Sequence, residues 1–296
     1  MTTVDDTMTE KDIFKTPWRC PVCSEILTED ERTLICPNRH SFDRAKQGYF
    51  NLFLQKKGAS HPGDDAAMVR ARTAFLEGGY YQPFSDGVNE MCKKVLAEMD
   101  VPSPMLVDAG CGEGYYTNRL HASLSSAFSS VRTLGCDLSK EAVAHAARVA
   151  KAAQKTASCA YAVASLFSIP LADHSAHGII SLFAPIAEEE FSRLLVPNGF
   201  LLVAVPAEKH LLGLKKAIYD TPYENEVRRD QLKSFALTET LRIDYEVDVN
   251  GNDHIMALFG MTPYYWKTSI ADAKKLSLLD TLHTELAFDL LLYRRI

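Results

Sequence analysis

The sequence predicts an α/β fold in which a mostly parallel, Rossmann-like sheet follows a small metal-binding module. Three observations predict it. From residue 105 onward, short apolar runs alternate with amphipathic helical segments, which is the pattern of βαβ units. A glycine-rich turn follows the first of these runs. Closely spaced cysteines and a histidine precede both features, as in small zinc modules.

The composition indicates a globular chain. Hydrophobic residues make up 47 % and charged residues 24 % of its 296 residues. The net charge of −6 excludes a globally basic nucleic-acid-binding protein. If the protein binds RNA or DNA, it must do so through a basic patch on part of its surface. No apolar run has the ~18–20 residues of a membrane span. An acidic N-terminus without an apolar stretch, together with seven cysteines, favours a reducing compartment, the cytoplasm.

Four zones follow one another along the chain. We expect a flexible tail, a zinc-binding module, a helical linker region and the α/β domain, at residues 1–16, 17–58, 59–104 and 105–296. In the linker region, apolar residues recur at spacings of three and four on two segments, which Gly78-Gly79 separates.

In the α/β domain, five apolar runs predict the parallel strands. They are Pro104–Ala109, Val131–Cys136, Ser158–Val163, His177–Phe183 and Phe200–Val205. The intervening segments Ser139–Ala153, with Ser139 as N-cap, and Ala187–Leu195 predict helices. Two late runs, Leu237–Val247 and Leu286–Tyr293, predict strands that pair antiparallel at one edge of the sheet.

The glycine-rich turn predicts a ligand site. Gly110, Gly112 and Gly114 allow a sharp turn and a close approach of backbone to ligand. Their G-x-G-x-G spacing differs from the dinucleotide fingerprint, and Glu113 at the helix start would repel a phosphate. A cationic or zwitterionic ligand fits better, with its ammonium near Asp108 at the strand end. The alternative is a tight strand–helix turn without a ligand.

Two further strand ends extend this site. Asp137 ends the second strand with a carboxylate that can accept both hydroxyls of a ribose. Ala164-Ser165 closes the third strand, where backbone groups could contact an adenine edge. Successive strand ends thus suit the amino acid, ribose and base of S-adenosylmethionine.

The cysteine-rich segment predicts a structural zinc site. Cys20 and Cys23 form a C-x2-C pair, and Cys36 and His40 form a C-x3-H pair twelve residues later. Three thiolates and one imidazole complete a tetrahedron and leave no open position. A redox C-x-x-C is less suitable, because nothing nearby predicts a thioredoxin-like unit.

A basic and aromatic stretch follows the cysteines. Six basic residues face one acid, Asp43, between positions 32 and 58: Arg32, Arg39, Arg44, Lys46, Lys56 and Lys57. Phe42, Tyr49, Phe50 and Phe53 are interleaved with them. Such residues can bind phosphates and stack on unpaired bases. Alternatively, the rings pack the module onto its neighbour and the charges face solvent.

The ordered set of motifs resembles the bacterial 23S ribosomal RNA guanine-N1 methyltransferases, which include a branch linked to macrolide resistance. The likeness runs from about residue 17 to the C-terminus and rests on the two cysteine knuckles, Phe42-Asp43, Gly48–Leu52, Pro62–Asp64, Asp108–Thr117, Ala184-Pro185, Pro206, His210-Leu211, Met261–Pro263 and Trp266. One departure is Val196–Gly199, where the family has Lys-Pro-Gly-Gly.

The resemblance implies a seven-stranded methyltransferase sheet, a zinc module that recognises RNA, and a homodimer. Zinc would be held by Cys20, Cys23, Cys36 and His40. Tyr81, Gly112, Glu113 and His210 would contact S-adenosylmethionine, in addition to Asp137. The implied reaction is methyl transfer to N1 of a guanine in a 23S ribosomal RNA hairpin loop.

Two other functions stay open at this stage. One is methyl transfer to a small molecule or protein, with the zinc module as a lid. The other is a non-catalytic RNA-binding protein that senses S-adenosylmethionine. Guanine N1 carries a proton that must leave during methylation, and His210 is one candidate for its acceptor.

Overall fold

The computed structural model describes residues 17–30, 32–54, 63–154, 158–227, 229 and 231–296. The expected flexible tail, Lys56, Lys57 and Pro62 lie outside these residues. The predicted domain boundaries stay a prediction.

The main sheet has eight strands in the order β10-β11-β9-β8-β5-β6-β7-β4. The strands are β4 (Phe50–Asn51), β5 (Met105–Ala109), β6 (Arg132–Asp137), β7 (Cys159–Val163), β8 (Ala176–Leu182), β9 (Leu195–Pro206), β10 (Phe235–Asn250) and β11 (Thr281–Arg295). Strands β4 to β9 pair in parallel, whereas β11 pairs antiparallel with both β9 and β10. The predicted mostly parallel α/β sheet and its antiparallel edge are confirmed.

Helices cover this sheet. They are α1 (Ala66–Glu77), α2 (Gln82–Glu98), α3 (Tyr115–Ala127), α4 (Lys140–Ala152), α5 (Glu188–Leu194), α6 (Leu212–Ile218), α7 (Asn252–Gly260), α8 (Tyr264–Lys267) and α9 (Ile270–Leu276). The side chain of Ser139 caps α4 by accepting a hydrogen bond from the N–H of Ala142, as predicted. Among the described helices, none combines the length and apolar character that a membrane span requires.

The N-terminal module is joined to the main sheet. It has its own small antiparallel sheet of β1 (Thr28–Asp30), β2 (Thr33–Ile35) and β3 (Ser41–Asp43). Its last segment, β4, then pairs with β7 and becomes the eighth strand, one more than the seven expected. The sequence did not predict this strand, because a run of two residues is too short to show an alternating pattern. Trp18, 2 % exposed, forms a further bridge to Leu171.

Strand order reverses at β5. From β5 the chain continues through β6 and β7 on one side, and then through β8 and β9 on the other. A crevice therefore opens beyond the carboxyl ends of β5 and β8, where open α/β sheets bind their ligands.

Candidate active site and metal centre

A cleft of about 770 Å³ lies at this reversal point. Residues after β5, β6, β7 and β8 form its floor, and residues of α1, α8 and the turn after β9 form its walls. Of the predicted ligand contacts, Tyr81, Gly110, Gly112, Asp137 and His210 line this single cleft. The structure thus brings together residues that are up to 129 positions apart.

The glycine turn requires glycine at each of its three positions. The φ angles of Gly110, Gly112 and Gly114 are +87°, +53° and +80°. A Cβ on Gly110 would approach Ala184 Cβ to 2.6 Å, and one on Gly114 would approach Ala146 Cβ to 2.5 Å. The bare backbone of this loop therefore forms the cleft floor between β5 and α3.

Asp137 is held in place by two backbone donors. The N–H groups of Gly112 and Ser139 donate to its two carboxylate oxygens over 3.0 and 2.7 Å. Burial raises the pKa of Asp137, and these N–H groups oppose the rise. Each oxygen keeps a second lone pair, so the carboxylate can still accept the hydroxyls of a ribose.

Asp108 and Ser165 are placed differently. Asp108 is 2 % exposed and lies beneath the loop, where it accepts a 2.5 Å hydrogen bond from the Thr117 hydroxyl. Burial raises its pKa to about 7. Ser165 accepts a hydrogen bond from the N–H of Phe167 over 3.2 Å, while its neighbours Ala164 and Leu166 face the cleft. A contact of either side chain with the ligand stays a prediction.

Glu113 pairs with Arg72, a residue that the sequence did not indicate. The Glu113 carboxylate is 4 % exposed and accepts a hydrogen bond from Nε of Arg72, whose Nη1 lies 2.5 Å from Asp64. Burial lowers the pKa of Arg72, but the two carboxylates outweigh it and raise this pKa overall. Nη2 of Arg72 lies over Gly112, 3.0 Å from the position of a Cβ. Asp64 and Arg72 line the cleft, whereas Glu113 lies behind its lining, so a contact of Glu113 with the ligand stays a prediction.

His210 and Tyr81 form a buried pair in the cleft wall. The N–H of Ala287 lies 3.3 Å from His210 Nδ1, which must accept it. The ring hydrogen is therefore on Nε2, which donates to the Tyr81 oxygen over 3.3 Å. Burial and nearby Lys215 lower the pKa of His210 to about 3, so the ring is neutral. Since neither nitrogen keeps a free lone pair, His210 is unsuited to accept the proton of guanine N1.

The predicted zinc ligands converge on one point. The ligand atoms of Cys20, Cys23, Cys36 and His40 all lie within 4.8 Å of one another. Nδ1 of His40 is 3.5, 3.5 and 3.2 Å from the sulfurs of Cys20, Cys23 and Cys36. Zn–S distances of ~2.3 Å and Zn–N distances of ~2.0 Å at tetrahedral angles give edges of about this length. The set therefore fits a closed zinc site.

The backbone shapes both halves of this site. The N–H of Ser24 donates to the Cys20 carbonyl, and that of Arg39 donates to the Cys36 carbonyl, over 2.8 and 2.9 Å. Ser24 and Arg39 have φ angles of +62° and +66°, which turn each knuckle back on itself. Hydrogen bonds, chiefly from the Asn38 side chain, lower the pKa of Cys23 to about 6. The thiolate form that zinc requires is thus favoured at Cys23, whereas burial raises the pKa of Cys20.

The aromatic residues after the cysteines pack inward. Tyr49 and Phe50 are 4 % and 3 % exposed, and Phe42 and Phe53 are half-buried against the cores. The guanidinium of Arg44 lies 4.7 Å from the Phe50 ring centroid. Of the two interpretations of this stretch, packing therefore accounts for the rings, and base stacking on them does not.

Comparison with known proteins identifies both parts of the chain. Residues 18–60 match the family described as "RlmA, N-terminal", a zinc ribbon, and residues 106–199 match the methyltransferase domain. The chain is 35 % identical over 201 residues to the 23S rRNA (guanine(748)-N(1))-methyltransferase of Streptomyces fradiae, covering 68 % of this chain and 67 % of that protein.

Two further relatives match over greater lengths. A Micromonospora griseorubida protein, assigned by its name to the 23S rRNA (guanine-N(1)-)-methyltransferases, is 32 % identical over 86 % of this chain and 88 % of its own. Bacillus subtilis YxjB, assigned by name to the same group, is 30 % identical over 84 % and 86 %.

Proposed function

Since this chain belongs to the family of 23S ribosomal RNA (guanine-N1)-methyltransferases, we propose that it transfers a methyl group from S-adenosylmethionine to N1 of a guanine in a 23S ribosomal RNA hairpin loop. One observation carries the proposal: the glycine loop, Asp137 and the Tyr81–His210 pair line one cleft, which extends beyond them to an aromatic end. Such a cleft can hold a methyl donor and a base side by side.

The residues of the cleft fit S-adenosylmethionine. Asp137 would accept hydrogen bonds from the ribose hydroxyls. Asp64, Arg72 and Asp137 in the cleft lining together have a net charge of −1, which would favour the positive charge of the ligand. When bound, the ligand supplies an electrophilic methyl carbon on its sulfonium. Positioning of this carbon against the guanine, with water excluded, would account for most of the rate.

Tyr81 would contribute a hydrogen-bond donor. Its oxygen already accepts from His210, and the described residues provide no second partner for its hydroxyl. The hydroxyl hydrogen is therefore free for an acceptor of the bound molecules in the cleft. His210 fixes the orientation of the hydroxyl and itself stays neutral.

The zinc ribbon would help to bind the RNA. It is built onto the same sheet as the cleft, because β4 pairs with β7 and Trp18 bridges to Leu171. This attachment supports a fixed distance between an RNA contact on the ribbon and the guanine in the cleft. A base that is paired in a helix would have to flip out, at a cost of a few kcal/mol.

A methylation assay tests the proposal. Purified protein should incorporate the methyl group of labelled S-adenosylmethionine into 23S ribosomal RNA, and mass spectrometry should find one N1-methylguanine. The Asp137→Ala variant should lose most of this incorporation. Methylation of a protein or small molecule with none of RNA, or ligand binding without any turnover, would support the alternative functions instead.

The homodimer and the cytoplasmic location belong to the same proposal. The resemblance implies the dimer, and light scattering of the purified protein would test it. None of the seven cysteines forms a disulfide, which supports a reducing compartment such as the cytoplasm.

A further inference from the structure

Two motifs have no role in the methyl-donor site, although both line the cleft. The first is the turn Phe183–Pro185 after β8, and the second is the segment from Met261 to Trp266. Both carry large aromatic side chains that stay exposed: 46 % for Phe183 and 66 % for Trp266. Exposed apolar surface that lines a cleft marks a candidate binding site.

Phe183 has a strained backbone beside the glycine loop. Its φ angle of +60° lies in the left-handed region, which a bulky residue seldom adopts. The next residue, Ala184, lies against Gly110, so this turn adjoins the floor of the methyl-donor site. Phe84 and Phe288 support the Phe183 ring at centroid distances of 5.4 and 5.7 Å. This backbone conformation places the Phe183 ring at the edge of the cleft, close to the glycine loop.

Trp266 lies on the short helix α8, which side-chain hydrogen bonds anchor to the rest of the domain. The Tyr264 hydroxyl donates to Oδ1 of Asn225 over 3.3 Å, and the buried Lys215 ammonium donates to the same oxygen over 2.7 Å. The Nδ2 group of Asn225 in turn donates to the carbonyl of His210 over 3.0 Å. Helix α8 is thus tied to the His210 turn, while the Trp266 ring stays largely exposed.

The geometry points to a nucleobase subsite at this end of the cleft, in which Phe183 and Trp266 provide the stacking surfaces for the target guanine. This inference rests on the proposed function and adds the residues that hold the base. A purine presents two flat faces, and aromatic side chains bind such faces without needing charge. Since Ala184, the residue after Phe183, lies against Gly110, a base stacked on Phe183 would lie close to the methyl donor.

Steady-state kinetics with a hairpin carrying the guanine that the wild type methylates tests the subsite. Trp266→Ala should raise KM for the hairpin about 10- to 100-fold, and Trp266→Phe should restore most of the loss. Phe183→Gly removes the ring and relieves the backbone strain, so it should lower kcat/KM while the protein stays folded. The dissociation constant for S-adenosylhomocysteine should change less than threefold in each variant.

The control is Ile270→Ala. Ile270, at the start of α9, is 80 % exposed and does not line the cleft. Its KM should stay within about threefold of the wild type. Wild-type kinetics in both Trp266→Ala and Phe183→Gly would overturn the subsite, as would equal weakening of S-adenosylhomocysteine and RNA. A wild type that methylates no RNA would overturn the proposed function, and the guanine subsite with it.

Discussion

The Tyr81 oxygen lies 3.3 Å from Nε2 of His210, and the N–H of Ala287 determines the direction of this hydrogen bond. Because Ala287 donates to Nδ1, the imidazole donates through Nε2 and the phenol oxygen accepts. The hydroxyl hydrogen then points away from His210 and is free for the cleft. A backbone group on β11 thus controls which hydrogen-bond donor the cleft presents.

Tyr81→Phe should weaken S-adenosylhomocysteine binding or lower kcat about tenfold. The variant removes the free donor and leaves the buried Nε2–H of His210 without an acceptor, at a cost of about 1–3 kcal/mol. Calorimetry and methylation kinetics would measure the two effects. The control is Tyr80→Phe: the Tyr80 hydroxyl lies 2.8 Å from His254 Nδ1 outside the cleft, so ligand binding should not change. Equal changes in ligand binding and kcat in Tyr81→Phe and Tyr80→Phe would contradict the role of the Tyr81 hydroxyl as a donor in the cleft.

Arg72→Met should destabilise the protein by about 3 kcal/mol, because it leaves the buried Glu113 carboxylate without its partner. Urea unfolding would measure the loss. Adding Glu113→Gln should recover much of it, since the uncompensated charge disappears. Lys94→Met is the control, since Lys94 and its partner Glu239 are both exposed, and it should cost less than about 1 kcal/mol. No recovery in the double variant would show that Arg72 acts through packing alone.

Asp108→Asn should make stability less sensitive to pH. Burial raises the pKa of Asp108 to about 7, from 3.8, so folding favours its neutral form. The stability that this carboxyl contributes is fully present below pH ~4 and is lost as the pH rises through ~7. The variant should therefore gain stability over the wild type between these values, by up to about 4 kcal/mol. Thermal unfolding from pH 4 to 8 would measure this difference in stability. If the stabilities of the wild type and the variant changed with pH in parallel, the raised pKa of Asp108 would be refuted.

Cys36→Ser should abolish zinc binding, because it removes one of four ligands from a closed tetrahedron. The loss should also lower the melting temperature of the whole protein. Cys20, Cys36 and Leu34 belong to the same buried cluster as Val107 and Leu201 of the main sheet. Metal analysis and calorimetry would measure both effects. Cys159→Ala, at a buried cysteine away from the zinc ligands, should keep its zinc. Full zinc content in Cys36→Ser would disprove the ligand set.

Local patterns in the sequence were sufficient to predict those features that depend on residues close together in the chain. The spacing of Cys20, Cys23, Cys36 and His40 predicted the tetrahedral group that the structure shows. Alternation of apolar runs and helices predicted the five parallel strands and the two late antiparallel ones. In each case the pattern lies within a short segment: each pair of zinc ligands belongs to one knuckle, and each strand or helix has its own apolar periodicity.

The sequence by itself determined the zinc ligands, the glycine loop and the strand alternation, since short-range backbone geometry requires particular residues at fixed intervals. Only the tertiary structure decided that β4 joins the main sheet, that Arg72 pairs with Glu113, and that Ala287 sets the tautomer of His210. The last two contacts join residues 41 and 77 positions apart. Buried polar groups form such contacts when the chain packs, because each needs a hydrogen-bond partner. The periodicity of the sequence does not indicate which residue that partner is.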